Sequence, residues 1–254
     1  MSDSDVTRHQ KEVLLNLERW RRKPLLHEIY RDFHRAIALH VAPDLGGEIV
    51  EIGSGIGSIR DVIPRCIRTD LYPNPWIDRV ENAYALSFGE RTVSHVILFD
   101  VFHHLRYPGS ALAEFRRVLV PHGRVIIFDP CVSVLGLLVY GLAHPEPVAL
   151  FDRIQWMAPE GWSPSLIDYY AAAAIATKIF GRSRLRGMLG GWRLLARRRM
   201  AGLSYVASGG YSGPQLYPAK WLPTMRRLDR ALDHFPRLFA TRLIVVLEKS
   251  GDEP

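Results

Sequence analysis

The sequence predicts an α/β chain: a doubly wound, mostly parallel sheet with helices on both faces. Three observations carry that reading. An apolar segment, 49–52, runs directly into a turn with Gly53, Gly55 and Gly57. A second strand-like segment, 66–70, ends in Asp70, about twenty residues after Glu51, the spacing at which such folds place a ribose-binding acid. Further short β-prone runs, at 79–80, 96–99 and 124–128, alternate with segments of helical period, which calls for crossover helices and a parallel sheet.

The chain begins with two expected helices. Val13, Leu14, Leu17 and Trp20 recur at helical spacing, and Pro24 suits the first turn of a second helix. There Leu25, Ile29, Phe33, Ile37 and Val41 form an apolar stripe. These helices read as packing on the main domain or as a lid over its ligand pocket. After Gly46 and Gly47 come the first strand and the glycine turn, where glycine lets the backbone bend sharply and approach a ligand. A helix is expected from residue 58 to about 64, its opening N–H groups facing the turn.

Composition narrows the class. The chain has 254 residues, 48% hydrophobic and 23% charged, ordinary for a globular protein with a sizeable core. The polar start, Met1-Ser2-Asp3-Ser4-Asp5, does not read as a signal peptide. The apolar run 132–143 falls short of the roughly 20 residues a membrane span needs, and a buried helix is the favoured reading. Cys66 and Cys131 stand in or beside apolar runs and read as buried thiols of a reducing compartment. The formal charge of +7 permits anionic partners without requiring nucleic acid.

The turn itself is not the dinucleotide fingerprint. Its spacing is G-x-G-x-G, with Ser58 in the place of the third fingerprint glycine. Glu51 just before it would repel a pyrophosphate and could hold an ammonium. The pattern E-x-G-x-G-x-G resembles motif I of class I S-adenosylmethionine-dependent methyltransferases. Three later stretches resemble the same family: 81–88, E-N-A-Y-A-L-S-F; 100–105, D-V-F-H-H-L; and 114–127, E-F-R-R-V-L-V-P-H-G-R-V-I-I. The chain departs from the family pattern at Asn82, His95 and His122, where aspartate, aspartate and glycine are usual.

The resemblance implies a Rossmann-like methyltransferase fold: a seven-stranded sheet whose last strand is antiparallel, N-terminal helices, and a helical insertion after strand 5. It divides the chain into a helical cap at 1–45, a cofactor-binding core at 46–130, an insertion and acceptor region at 131–191, and a completion of the sheet at 192–254. In the last two parts we expect a helix at 165–180, a sixth strand at 192–199, a loop at 205–217, a helix at 220–239 and a strand at 243–247. The implied cofactor is S-adenosyl-L-methionine. Its implied contacts are Glu51, Gly53, Ser54, Gly55, Gly57, Asp70, Leu71, Asn82, Ala83, Phe99, Asp100 and Val101. Asp70 takes the ribose hydroxyls, and Asn82 stands where the family's aspartate faces the adenine amino group.

Methyl transfer from a sulfonium needs positioning and sometimes a base, and no metal is required. Candidate bases are His103, His104 and His144, with Glu146 or Asp129 as partners. Tyr205 and Tyr211 are candidates for lining the acceptor pocket. The H-P-E-P-V and Y-x-x-S-G-G-x-S stretches are similar to a bacterial subgroup from polysaccharide and glycolipid gene contexts. The expected function is O-methylation of a small molecule or a glycan or lipid-linked intermediate, in the cytoplasm or at the inner face of the membrane. There the run 132–143 and the arginines at 182, 184, 186 and 197–199 could meet lipid. Two alternatives stay open: a non-catalytic cofactor-binding or partner subunit, and a nucleic-acid methyltransferase.

Overall fold

The computed structural model describes residues 3–142, 146–181 and 187–251, with side chains from residue 9 onward. Helices α1 (Asp3–Arg22) and α2 (Pro24–Ala38) precede the sheet. The strands are β1 (Glu48–Ile52), β2 (Cys66–Asp70), β3 (Arg79–Val80), β4 (Val93–Phe99), β5 (Leu119–Pro130), β6 (Trp192–Ala201) and β7 (Ala240–Lys249). Helix α3 (Pro108–Val118) joins β4 to β5, while α4 (Val134–Leu142) and α5 (Ile175–Gly181) lie between β5 and β6. Helices α6 (Leu203–Ala207), α7 (Leu222–Leu232) and α8 (Pro236–Phe239) lie between β6 and β7.

The seven strands form one sheet in the order β3-β2-β1-β4-β5-β7-β6. All pairs among β1 to β5 are parallel, and β7 runs antiparallel to both β5 and β6. The expected doubly wound sheet with a reversed last strand is what forms. Its topology reverses direction between β1 and β4, and sheets of this kind take their ligands beyond the carboxyl ends of the strands at that point.

Alternation along the strands builds two cores. Val50, Ile52, Val96, Leu98, Val125 and Ile127 face one side, with α3 and α5. Ile49, Ile97, Ile126, Phe128, Ile244 and Val246 face the other, where they meet Leu25, Ile29, Phe33 and Ile37 of α2. Those four are buried as the spacing predicts, whereas Val41 lies beyond the end of α2 and is half-buried. Burying each of these side chains stabilises by about 1.5–3 kcal/mol, enough to hold α2 on the sheet.

Four expectations need correction. The helix after the glycine turn is only a 3-10 turn, Ser58–Asp61. Pro64 lacks the N–H that a helix would need, and β2 begins two residues later, so no room remains. α2 fills the space on that face instead.

The alanine-rich helix expected at 165–180 is a 3-10 turn (Pro164–Leu166), an extended stretch, and α5. The N–H groups of Ala172, Ala173 and Ala174 donate to the carbonyls of His103, Pro147 and Val148 rather than up a helix. Small buried side chains at 171–174 let this backbone pass close against its neighbours.

The helix expected at 220–239 breaks between α7 and α8 at Pro236. Finally, the apolar run after β5 is not buried. In α4 only Gly136 and Tyr140 are buried, while Val134, Leu137, Leu138 and Leu142 are exposed. Among the described residues no helix is long and apolar enough to cross a membrane.

Candidate active site

The glycine turn is tied to the end of β2. Gly55 N–H donates to Asp70 Oδ2 (3.0 Å), and Leu71 N–H donates to Asp70 Oδ1 (2.7 Å). Ser54 N–H donates to the Thr69 carbonyl (2.7 Å), and Thr69 N–H donates back to Ser54 Oγ (3.1 Å). Gly53 and Gly57 are both in the left-handed region, at φ +71° and +70°. A Cβ at Gly53 would come within 2.5 Å of the Val101 side chain, so glycine is what allows the β1 and β4 ends to close together. A Cβ at Gly57 would meet the Trp76 carbonyl at 2.6 Å, whereas one at Gly55 would meet nothing within 4 Å.

Glu51 lies beneath this turn, 3% exposed, and its Oε2 has no hydrogen-bond partner. Burial pushes its carboxyl up to about 7. A buried acid with an unpartnered oxygen is costly unless a cation arrives. That suits the ammonium of an amino-acid group and not a phosphate. Together with the open side of Gly55, it fits the implied cofactor.

Asp70 has another neighbour. His9 Nε2 of α1 lies 3.2 Å from Asp70 Oδ1, and the His9 ring sits 4.9 Å from that of Tyr72. Burial opposes a charge on His9, but Asp70 more than offsets it and the pKa rises. The first helix therefore reaches the acid at the end of β2. If Asp70 takes ribose hydroxyls, His9 must yield. His9→Ala is expected to tighten cofactor binding about tenfold, roughly the value of one partly buried ion pair. Calorimetry of the two proteins side by side checks it, and unchanged affinity would mean that His9 does not compete.

The other expected cofactor residues are distributed along the same edge. Phe99 ends β4 among aromatic rings, Tyr30 at 5.2 Å and Phe128 at 5.2 Å. Asp100 follows at φ +55°, its N–H donating to the Phe128 carbonyl (2.9 Å). Its carboxylate pairs with Arg242 of β7. Ala83 is buried. Asn82 uses both ends of its amide: Nδ2 donates to the Pro164 carbonyl (3.0 Å) and Oδ1 accepts from Tyr84 N–H (3.0 Å). It thus fastens the insertion to the core, and its oxygen already has one donor.

The histidines group with acids. His103 Nδ1 lies 2.9 Å from Asp129 Oδ1, and its Nε2 lies 3.2 Å from Glu146 Oε2. Burial opposes its charge, but Asp129 and Glu146 outweigh it and hold the ring up at about 10. His104 Nδ1 donates to the Tyr170 carbonyl (2.8 Å), which leaves the lone pair on Nε2, 3.5 Å from Glu146 Oε1. Burial, aided by His103, lowers its pKa to about 4. His144 lies outside the described residues, as do the arginines at 182, 184 and 186. Arg197 donates to the Phe180 carbonyl (2.6 Å) and Arg198 pairs with Asp233 (2.7 Å), so these two tie β6 to its surroundings.

Sequence reasoning missed Arg242 and His9 and left His95 unexplained. His95 replaces a usual aspartate because it is a wholly buried tie: its Nε2 accepts from Ala42 N–H (2.9 Å), and its Nδ1 meets Ser94 Oγ (2.9 Å). Burial lowers its pKa to about 4, consistent with a neutral acceptor. Arg242 lies under Tyr205, 4.5 Å from the ring centroid, with Phe33 at 5.5 Å. Tyr205 and Tyr211 are largely inside this aromatic cluster, beside Tyr30 at 6.1 and 5.3 Å.

A seven-stranded sheet, parallel from β1 to β5 with an antiparallel last strand and helices on both faces, is a Rossmann-like methyltransferase fold. More narrowly, residues 50–127 match the family model described as a methyltransferase domain. No curated protein matches the chain.

Solved structures are similar in fold. A methyltransferase from Thermotoga maritima, described as S-adenosylmethionine-dependent and a possible histamine N-methyltransferase, aligns at TM-score 0.54 and 12% identity, over 94% of this chain and 99% of its own. A chain from the complex of the Haloferax volcanii Trm112 methyltransferase activator with a methyltransferase aligns at TM-score 0.53 and 15% identity, over 99% and 97%. Geranyl diphosphate C-methyltransferase from Streptomyces coelicolor aligns at TM-score 0.52 and 11% identity, over 88% and 80%.

Proposed function

We propose that the chain binds S-adenosylmethionine and transfers its methyl group to an oxygen of a small amphipathic acceptor, of the glycan or lipid-linked kind. One observation carries the reading. Glu51, the Gly53–Gly57 turn, Asp70 and the Asp100–Val101 corner converge at the carboxyl ends of β1, β2 and β4, inside the segment that matches a methyltransferase domain. The cofactor supplies an activated sulfonium methyl; the residues of the chain bind, orient and exclude water. Glu51 holds the ammonium and Asp70 the ribose hydroxyls. Gly53 and Gly55 keep the floor free of side chains.

His104 follows Val101 by one turn, its N–H donating to the Val101 carbonyl (2.9 Å). Its Nε2 lone pair accepts the hydrogen bond of an acceptor hydroxyl and orients that oxygen. The exposed apolar face of α4 supports an acceptor with a greasy portion and a peripheral contact with membrane. Of the arginines read as a basic lipid patch, Arg197 donates to the Phe180 carbonyl and Arg198 pairs with Asp233, while those at 182, 184 and 186 lie outside the described residues.

Calorimetric titration with S-adenosylmethionine, with NAD as the control, tests the cofactor. Micromolar binding of the first alone, weakened by Asp70→Ala, is the expected result. Methyl release to a panel of amphipathic alcohols then tests the acceptor. If neither cofactor binds, a non-catalytic partner subunit becomes the better reading.

A further inference from the structure

His103, His104 and Glu146 converge in a way that methyl transfer alone does not need. Their ligating atoms all lie within 4.8 Å of one another. Glu146 presents Oε2 at 3.2 Å to His103 Nε2 and Oε1 at 3.5 Å to His104 Nε2. Around a four-coordinate ion with bonds of about 2.0–2.1 Å, ligand atoms stand roughly 3.3 Å apart. One ion therefore fits with small side-chain adjustments.

The far side of each imidazole is the second observation. Histidines that bind metals characteristically donate their other ring N–H to a carboxylate or a backbone carbonyl, which fixes the tautomer and aims the lone pair. Here His103 Nδ1 is held by Asp129 (2.9 Å) and His104 Nδ1 by the Tyr170 carbonyl (2.8 Å). Both arrangements turn Nε2 toward Glu146. They are set by long-range structure: Asp129 comes from β5, and Tyr170 from the extended stretch whose next N–H groups bond to the carbonyls of His103 and Pro147.

Charge is the third. Asp129 is wholly buried, with Oδ2 lacking any hydrogen-bond partner. Asp129 and Glu146 place two carboxylates against His103 in a largely enclosed place, and a divalent cation that displaces the His103 proton balances both.

We propose that His103, His104 and Glu146 bind a divalent transition-metal ion of the Zn²⁺ type, with Asp129 and the Tyr170 carbonyl as supports that aim the two rings. The mixed nitrogen and oxygen donors suit Zn²⁺ or Co²⁺ and not Mg²⁺ or Ca²⁺, which take oxygen. Three protein ligands leave a position open, the mark of a site that receives a small molecule. The site lies just beyond Val101, so an acceptor oxygen can take that position. The ion then holds it in place of the His104 lone pair. This last step rests on the methyl-transfer reading; ion binding itself does not.

The test is metal titration of the full chain after chelator treatment and desalting. Co²⁺ is followed by its visible absorption and Zn²⁺ by competition with a chromogenic chelator. One equivalent should bind at micromolar affinity or tighter. His104→Ala and Glu146→Gln should each lose at least a hundredfold in affinity, and Asp129→Asn about 10- to 100-fold, as for outer-shell partners. His234→Ala, at an exposed histidine outside the cluster, should change nothing. Circular dichroism of each variant confirms folding, and His104 and Glu146 are chosen because their side chains are 33% and 18% exposed. Equal uptake by the wild type and by folded His104→Ala, or no uptake by the wild type, overturns the proposal. A protein that binds S-adenosylmethionine but no metal would refute the site while leaving methyl transfer intact. The converse result would separate them the other way.

Discussion

Glu51→Gln is expected to make the cofactor-free protein more stable and to weaken its binding of cofactor at least tenfold. The wild-type carboxyl rises from 4.5 to about 7 on folding, chiefly because burial penalises its charge. Between those pH values the folded chain keeps a proton that the unfolded chain has lost. Stability therefore falls as pH rises through this window, and the loss is complete above about 7. At 1.36 kcal/mol per pKa unit, the penalty at pH 8 is on the order of 3 kcal/mol. Gln removes it and retains the shape.

Denaturant melts of both proteins at pH 4, 6 and 8 should give equal stability at the lowest pH and a gap of up to about 3 kcal/mol at the highest. A constant gap across all three would mean that Glu51 is not the titrating group. The same protonation opposes cofactor binding. Wild-type affinity for S-adenosylmethionine should rise with pH through about 7, whereas Glu51→Gln should bind at least tenfold more weakly and without that slope. Such an opposition between stability and binding is common at functional sites.

How far the sequence carries this picture depends on the range of the interactions. The glycine turn and Asp70 were legible because local spacing encodes them, and alternation marked the strands. The stripe on α2 was legible for the same reason. The short turn after Gly57 was not foreseen, although Pro64 stood in plain view, because nothing local says where β2 must begin. The stretch at 167–174 reads as helix from its alanines; the structure overrides that propensity with hydrogen bonds to His103, Pro147 and Val148. His103 and His104 were legible as candidates, but their geometry depends on Asp129, Glu146 and Tyr170, which only the folded chain assembles. His95 looked like an unexplained departure until Ala42 N–H was found on its ring. His9 and Arg242 gave no signal, since a single charge in a helix or at a strand start usually meets solvent.

Arg242→Ala should be the most damaging of these substitutions. Arg242 is 2% exposed at the start of β7 and pairs with Asp100. Its guanidinium also lies among Tyr205, Phe33 and Phe128, whose ring centroids are 4.5, 5.5 and 5.9 Å away. Truncation strands the Asp100 carboxylate at the pocket edge and opens a cavity among the rings. Breaking one side of a buried pair typically costs about 3–5 kcal/mol. For a chain of this size that lowers the melting temperature by roughly 10 °C or more. Arg242→Lys should recover only part, because an ammonium is more strongly hydrated and lacks the flat face that stacks on Tyr205. The double variant Asp100→Asn with Arg242→Met removes both charges and keeps an apolar stem, so it should be more stable than Arg242→Ala alone. If Arg242→Ala shifts the melting temperature by less than about 2 °C, the pair is not what fixes the β4 corner. If the double variant melts normally yet binds cofactor weakly, Asp100 serves the ligand, and Arg242 serves chiefly to make its charge tolerable beside an aromatic core.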